Sequence, residues 1–217
     1  DIATSAASFL GRTTNEEQKG SLILSISGNN HTDRVYFTFN EVGQIYHDIA
    51  DAEKLLPLNP SPRLAAMTIT NNTALKINNL PFEYSGVISI PLEILSLQVD
   101  SSGNFIALDE EVHLIQENEN LPDHITLSLL DRHTGVIYDM QNPSGINLVA
   151  EEKGSFSPTS NLAIESYPII GEQRYQLLVH YGNLEKGKNN LLPSSFKLHQ
   201  NYPNPFNPIT TIRYDIP

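Results

Sequence analysis

Ser21-Leu-Ile-Leu-Ser-Ile-Ser27, Gly28-Asn-Asn-His-Thr-Asp33 and Arg34-Val-Tyr-Phe-Thr-Phe-Asn40 follow one another without a gap. In the first segment Leu22, Leu24 and Ile26 recur at every second position. In the third, Val35, Phe37 and Phe39 do the same. That period of two is the signature of a strand with one buried face. The middle segment is built from turn formers. Together they read as strand, turn, strand, with both apolar faces in one core.

The same pattern recurs along the chain. Strands are expected at Leu64–Thr70 and Ala74–Ile77, joined by Asn71-Asn72-Thr73. Gly86–Leu97 is a long apolar run in which Pro91 argues for a bend or an edge position. Asp100-Ser-Ser-Gly-Asn104 is a hairpin-type turn into Phe105–Leu108. Asp109–Asp123 is acidic, with a short strand expected near Val112–Ile115. Further strands are expected at His124–Leu130, Val136–Met140, Ile146–Ala150 and Gln173–Tyr181, with a loop at Ser155–Ser160. One helical turn is expected at His47–Leu56, where Asp48 can cap the start, Asp51 sits among free first-turn amides and Pro57 ends it. The expected fold is therefore all-β: an antiparallel sandwich, jelly-roll or immunoglobulin-like, with one short helix. Its core should hold Leu22, Leu24, Ile26, Val35, Phe37, Phe39, Leu75, Ile77, Leu127, Leu129, Tyr175, Leu177 and Val179. Residues 1–20 read as an arm and 21–182 as the sandwich.

Composition narrows the function. Thirteen Lys and Arg stand against 25 Asp and Glu, for a formal charge of −12. Such a chain is repelled by nucleic acid and by anionic lipid. No apolar run approaches a membrane-spanning length. There is no cysteine, so neither a disulfide framework nor thiolate chemistry is available. The chain begins at Asp1 without methionine or an apolar leader, which reads as a mature product or a piece of a longer chain.

Each constellation with chemical potential has a structural reading beside it. Asp48 and Asp51, next to His47, could start a metal site but lack a third ligand, and capping explains them. Asp100, Ser102 and Asn104 offer oxygens at a calcium-loop-like spacing. They lack the later glutamate of an EF-hand, and a hairpin turn needs the same residues. Calcium is thus the one cofactor this turn could suggest, and none is assigned. The histidines (His31, His47, His113, His124, His133, His180 and His199) include no pair at zinc-binding helical spacing. Neither a G-x-S-x-G elbow nor H-E-x-x-H occurs. Asp109, Glu110 and Glu111 could suggest glycoside chemistry, but a solvated acidic loop accounts for them. Asn30-His-Thr and Asn71-Asn-Thr match a glycosylation sequon and also read as turns.

The C-terminal stretch carries the most specific pattern. Pro203, Pro205 and Pro208 fall within six residues, and Asn204 and Asn207 before two of them are pushed to extended or turn conformations. Thereafter Ile212, Tyr214 and Ile216 alternate like a strand. Phe196, Leu198, Gln200, Asn201, Tyr202, Pro203, Asn204, Pro205, Phe206, Asn207, Pro208, Thr210, Ile212 and Tyr214 together resemble the opening of the type A sorting domain of the type IX secretion system, found in Bacteroidetes and their relatives. The resemblance implies an address: export through that machinery to the cell surface or the medium. It covers only the first strand region of the sorting domain, at 196–217, so that domain reads as truncated, with 183–195 as its linker.

A second resemblance rests on order. V-Y-F at 35–37, D-x-x-D-A-x-K-L at 48–55, L-x-I-N-x-L-P at 75–81, L-x-D-x-x-T-G at 129–135 and R-Y-x-L at 174–177 look like the β-sandwich module that often precedes such sorting domains. It implies no catalytic role. The expectation is a non-enzymatic secreted or surface module serving display, adhesion or extracellular assembly, with other copies of itself or surface polysaccharide as partners. The alternative is a carbohydrate-binding accessory module of a larger secreted hydrolase. The lack of tryptophan weighs against that alternative; exposed Tyr and Phe along one sheet face would favour it.

Overall fold

In the computed structural model of the protein, residues 19–57, 60–157 and 166–182 are described, together with the backbone of four short strands between 197 and 215. Strand β1 (Gly20–Ser27) and strand β2 (Thr32–Asn40) form the expected antiparallel pair, with Leu22 opposite Phe37 and Leu24 opposite Val35. The side chains predicted to share a core from these two strands are all buried.

The chain continues through β3 (Ala52–Glu53), β4 (Arg63–Thr70), β5 (Thr73–Pro81), β6 (Gly86–Val99), β7 (Phe105–Leu108), β8 (Glu110–Asn120), β9 (Ile125–Asp131), β10 (Ile137–Asp139), β11 (Ile146–Ala150), β12 (Gly154–Phe156) and β13 (Tyr175–Tyr181). These thirteen strands form one sheet. Its main path runs β10-β9-β13-β6-β4-β5-β2-β1-β8-β11. The principal core takes side chains from both ends of that path: Leu127, Leu129, Leu177 and Val179 from one, Leu24, Ile26, Leu114 and Leu148 from the other. The sheet therefore folds over itself into two layers, with β4 and β5 at the corner. This is an all-β sandwich.

A smaller core lies on the other side of the corner. Ala65 and Met67 of β4, Leu95 and Leu97 of β6, and Phe105 of β7 pack there against Tyr167 and Phe156. Strands β4 and β6 are thus buried on both faces, which explains why β6 reads as a nearly continuous apolar run. Pro91 also finds its reason. Strand β6 pairs with β13 over Gly86–Leu92 and with β4 over Leu92–Leu97. At Pro91 the β4 side has no ladder, so a residue without an N–H is tolerated.

Several expectations are corrected. No helix forms at His47–Leu56; the segment turns and enters β3, which pairs with β5. The pairing is not wholly antiparallel, because β2 and β5 run parallel with Tyr36 opposite Ile77. Ile77 is only half-buried, and β5 reaches the main core through Leu80 instead. The acidic stretch holds an eleven-residue strand, β8, rather than a short one. The expected loop at Ser155–Ser160 overlaps β12. The turn Asn71-Asn72 is a two-residue hairpin with φ of 49° and 62°, the left-handed pair that asparagine accepts most readily among non-glycine residues.

Beyond Gly182 four short backbone strands are described. Strand β14 (Lys197–Leu198) pairs with β17 (Tyr214–Asp215), and β15 (Tyr202–Asn207) with β16 (Ile209–Thr211). Ile212 and Ile216 lie outside the described residues, as do most of the arm and all of the linker at 183–195.

Candidate functional site

The motif segments that lie far apart in sequence meet in three polar locks. The first gathers D-x-x-D and the asparagines of β5. Asp48 Oδ1 accepts from the Ala50 amide at 2.7 Å, and Asp51 Oδ2 accepts from the Asp48 amide at 2.8 Å. This is the reciprocal arrangement of a capping box without a helix behind it. Both carboxylates also face β5. Asp51 Oδ1 accepts from the Asn79 amide at 2.6 Å, and Asp48 Oδ2 from Asn79 Nδ2 at 3.1 Å. Asn79 is buried, and its Oδ1 accepts from Thr38 Oγ1 at 2.9 Å and Asn40 Nδ2 at 2.8 Å. The signals read as capping thus hold a turn against a sheet. Burial pushes the Asp51 carboxyl above its ordinary range.

The second lock is ionic. Asp33 of β2 accepts from Lys54 after β3, from Lys76 of β5 at 2.6 Å, and from the Ala66 amide of β4 at 2.8 Å. One carboxylate thereby ties four segments. Burial alone would raise Asp33, but the two ammonium groups and the amide outweigh it and hold the carboxyl below its usual range. Burial dominates for Lys54, whose amine is pushed down to about 8.

The third lock joins L-x-D-x-x-T-G to R-Y-x-L. Arg174 grips Asp131 with Nε at 3.0 Å and Nη2 at 2.7 Å, and Glu151 through Nη1 at 3.1 Å. Asp131 Oδ1 also accepts from the His133 amide at 2.9 Å, and His133 Nδ1 lies 3.0 Å from Glu151. The paired guanidinium holds the Asp131 carboxyl at about 2. Next to it, the Tyr175 hydroxyl accepts from the Val149 amide and donates to the Val149 carbonyl, both at 3.0 Å. The Tyr175 hydroxyl thus satisfies both backbone groups of Val149 in β11.

The remaining candidates fall as follows. Asp100 Oδ1 accepts from the Ser102 and Asn104 amides, each at 2.8 Å, and Oδ2 from Asn104 Nδ2 at 3.0 Å. Those bonds, the backbone bonds with Asn104 foremost, hold the Asp100 carboxyl below its ordinary range. With Gly103 at φ +83° they build the hairpin turn from β6 to β7. Asp109 and Glu110 line an open polar pocket with Asn29, Asn30, His31, Ser96 and Gln98. Glu110 is turned onto the Asn29 amide at 2.7 Å and onto Ser96 Oγ, so it holds the β1–β2 turn. His124 bonds the Phe82 carbonyl, His113 bonds Asn147, and His180 bonds Ser128 at 2.7 Å. His199 is outside the described residues, and no side chain of the sorting motif is described.

Among the described residues, no three His, Cys, Asp or Glu side chains are grouped to share a metal ion. None of their helices is long and apolar enough to cross a membrane. Their exposed aromatic rings are Tyr46 and Tyr84, in two different loops rather than along one sheet face. The Asp33 and Tyr175 contacts were not anticipated from sequence. Their only signal was the order of motifs, because each bond joins residues at least 21 positions apart. No family model, no curated protein and no solved structure matches the chain.

Proposed function

We propose that this chain is a non-enzymatic module of a secreted or cell-surface protein, exported through the type IX machinery and serving display, adhesion or extracellular assembly. The observation that carries the reading is the run Phe196 to Tyr214, in which fourteen positions resemble a type A sorting domain. The folded part is in keeping with it. Its buried and half-buried carboxylates are engaged by amides, ammonium groups and a guanidinium, an arrangement that stabilises loops rather than presenting paired acids to a substrate. The acidic surface keeps copies soluble until they assemble.

The test is secretion of the parent protein carrying this segment. With residues 196–217 deleted, or Pro203 to Pro208 replaced by Gly and Ser, the protein should accumulate in the periplasm while the unaltered form reaches the medium or surface. Equal secretion of both forms would reject the export role.

A further inference from the structure

The six residues Gly86-Val-Ile-Ser-Ile-Pro91 form a strand edge that is paired on one side only. Strand β13 runs along them from Leu92 back to Gly86. On the other side β4 leaves at Leu92, and among the described residues no strand replaces it. At the start of the run the sheet face is uncovered among the described residues: Gly86 has φ +113°, and a Cβ placed on it meets nothing within 4 Å. Val87 is 47% exposed and Tyr84, just before the strand, 43%.

The other ends of the sheet are guarded. Strand β10 is three residues long and carries Asp139. Strand β11 has both backbone groups of Val149 taken by Tyr175. Natural sheets usually protect open edges with charge, shortness or cover. Here, among the described residues, the guard is Pro91 at the end of the run.

We infer that Gly86–Pro91 is an assembly edge that pairs antiparallel with the same edge of a second copy. Charge selects this occupant. The chain carries −12, yet Ser85 through Leu92 contains no ionisable side chain. Two copies meeting here bring no acid opposite an acid. Side-chain alternation then restricts the register. A two-fold axis normal to the sheet pairs only residues that point the same way. Ile88 and Ile90 are buried, whereas Val87 and Ser89 face outward. Of the registers that satisfy this, the two that pair most of the open run set Val87 opposite Ser89, or Ser89 opposite its own copy. Both continue the sheet across the two molecules and extend each apolar layer. The edge alone is small against a standard interface, so the dimer is weak and concentration-dependent. This inference does not rest on the export reading, because it concerns the folded sandwich.

Sedimentation velocity of the full chain from about 1 to 500 µM, a range suited to a small interface, should show a monomer–dimer equilibrium. Val87→Glu places a charge on each copy at the contact and should weaken dimerisation at least about tenfold, with partial recovery in high salt. Because the chain has no cysteine, cysteines report the register directly: mild oxidation should yield a covalent dimer of Ser89→Cys where Ser89 faces its own copy, or of a mixture of Val87→Cys and Ser89→Cys chains where Val87 faces Ser89. Ser25→Cys, on central strand β1, should not. A chain that stays monomeric throughout the range overturns the inference. So does a dimer that Val87→Glu leaves intact and that neither cysteine arrangement cross-links, since its interface lies elsewhere.

Discussion

The two flanks of the sandwich are finished differently. On one, Asp131 at the end of β9, Arg174 before β13, Glu151 after β11 and the Tyr175 hydroxyl stitch the layers together with charge-assisted and backbone-directed bonds. On the other, β6 presents Gly86–Pro91 with no strand on its β4 side among the described residues. The same residue types are available to both. What separates them is chemistry placed on the edge: the stitched flank uses buried polar groups, and buried polar groups must be satisfied or they destabilise. The open flank is uncharged, and its inward side chains already belong to the core. The first flank should therefore matter for folding and the second for association.

The largest expected effect tests the stitched flank. Asp131 is 1% exposed and its guanidinium partner 18%. Arg174→Ala leaves that carboxylate buried with only loop amides, and breaking such a pair costs roughly 3–5 kcal/mol. Urea unfolding should show the loss as a lowered midpoint at unchanged slope. A loss under about 1 kcal/mol would place the pair among exposed bridges and remove the contrast between the flanks.

Acid should expose the same contact more gently. Asp131 falls from an ordinary 3.8 to about 2 in the fold. A depressed carboxyl contributes stability that is complete above its unfolded value and is lost as pH falls through the folded one. The window is thus about pH 4 down to pH 2, and the amount about 2 kcal/mol. Asp33, also held low, adds to the same limb. Comparing the protein with Asp131→Asn across this window isolates the Asp131 share; parallel stability curves would refute it. His180 acts in a different window. Burial pushes its imidazole down, so the fold prefers it neutral, and its contribution is lost as pH falls below its ordinary 6.5.

Tyr175→Phe should cost less, about 1–2 kcal/mol, because it removes one hydroxyl but strands two backbone groups of Val149. Hydrogen exchange at the Val149 amide is the sharper readout. It should accelerate in the variant while amides of central β1 stay protected.

What could be read beforehand follows from the range of each interaction. Strands β1 and β2 were legible because Leu22, Leu24, Ile26, Val35, Phe37 and Phe39 alternate locally. The hairpin turns at Asn71-Asn72 and Asp100–Asn104 were legible for the same reason: their residues set their own backbone. The missing helix shows the limit. Asp48 and Asp51 carry capping signals, and those bonds do form, but Asn79 from β5 supplies competing donors that no local window contains. Strand β8 hid its length because acids such as Glu111 alternate with buried Val112 and Leu114, so charge masked the strand period. The parallel β2–β5 pair, the Asp33 lock and the Arg174 lock join distant residues, and sequence offered only the order of the segments. The sorting motif is the converse case, explicit in sequence while its side chains lie outside the described structure.

The smallest expected change on folding sharpens the comparison most. Val87 is about half-exposed on the outer face of the open edge, and its β4 side has no ladder bond to break. Val87→Glu there touches neither core, so stability should move by no more than about 0.5 kcal/mol. Glutamate is a weaker strand former than valine, which sets the direction of that small loss. The same substitution should still weaken self-association at least about tenfold by like-charge repulsion. Chemical denaturation at low protein concentration, where the chain is monomeric, checks the first statement apart from the second. A loss of 2 kcal/mol or more in the monomer would mean that Val87 packs within its own chain. The β6 edge would then be a folding element like the Arg174 flank, and the division of labour between the two flanks would fail.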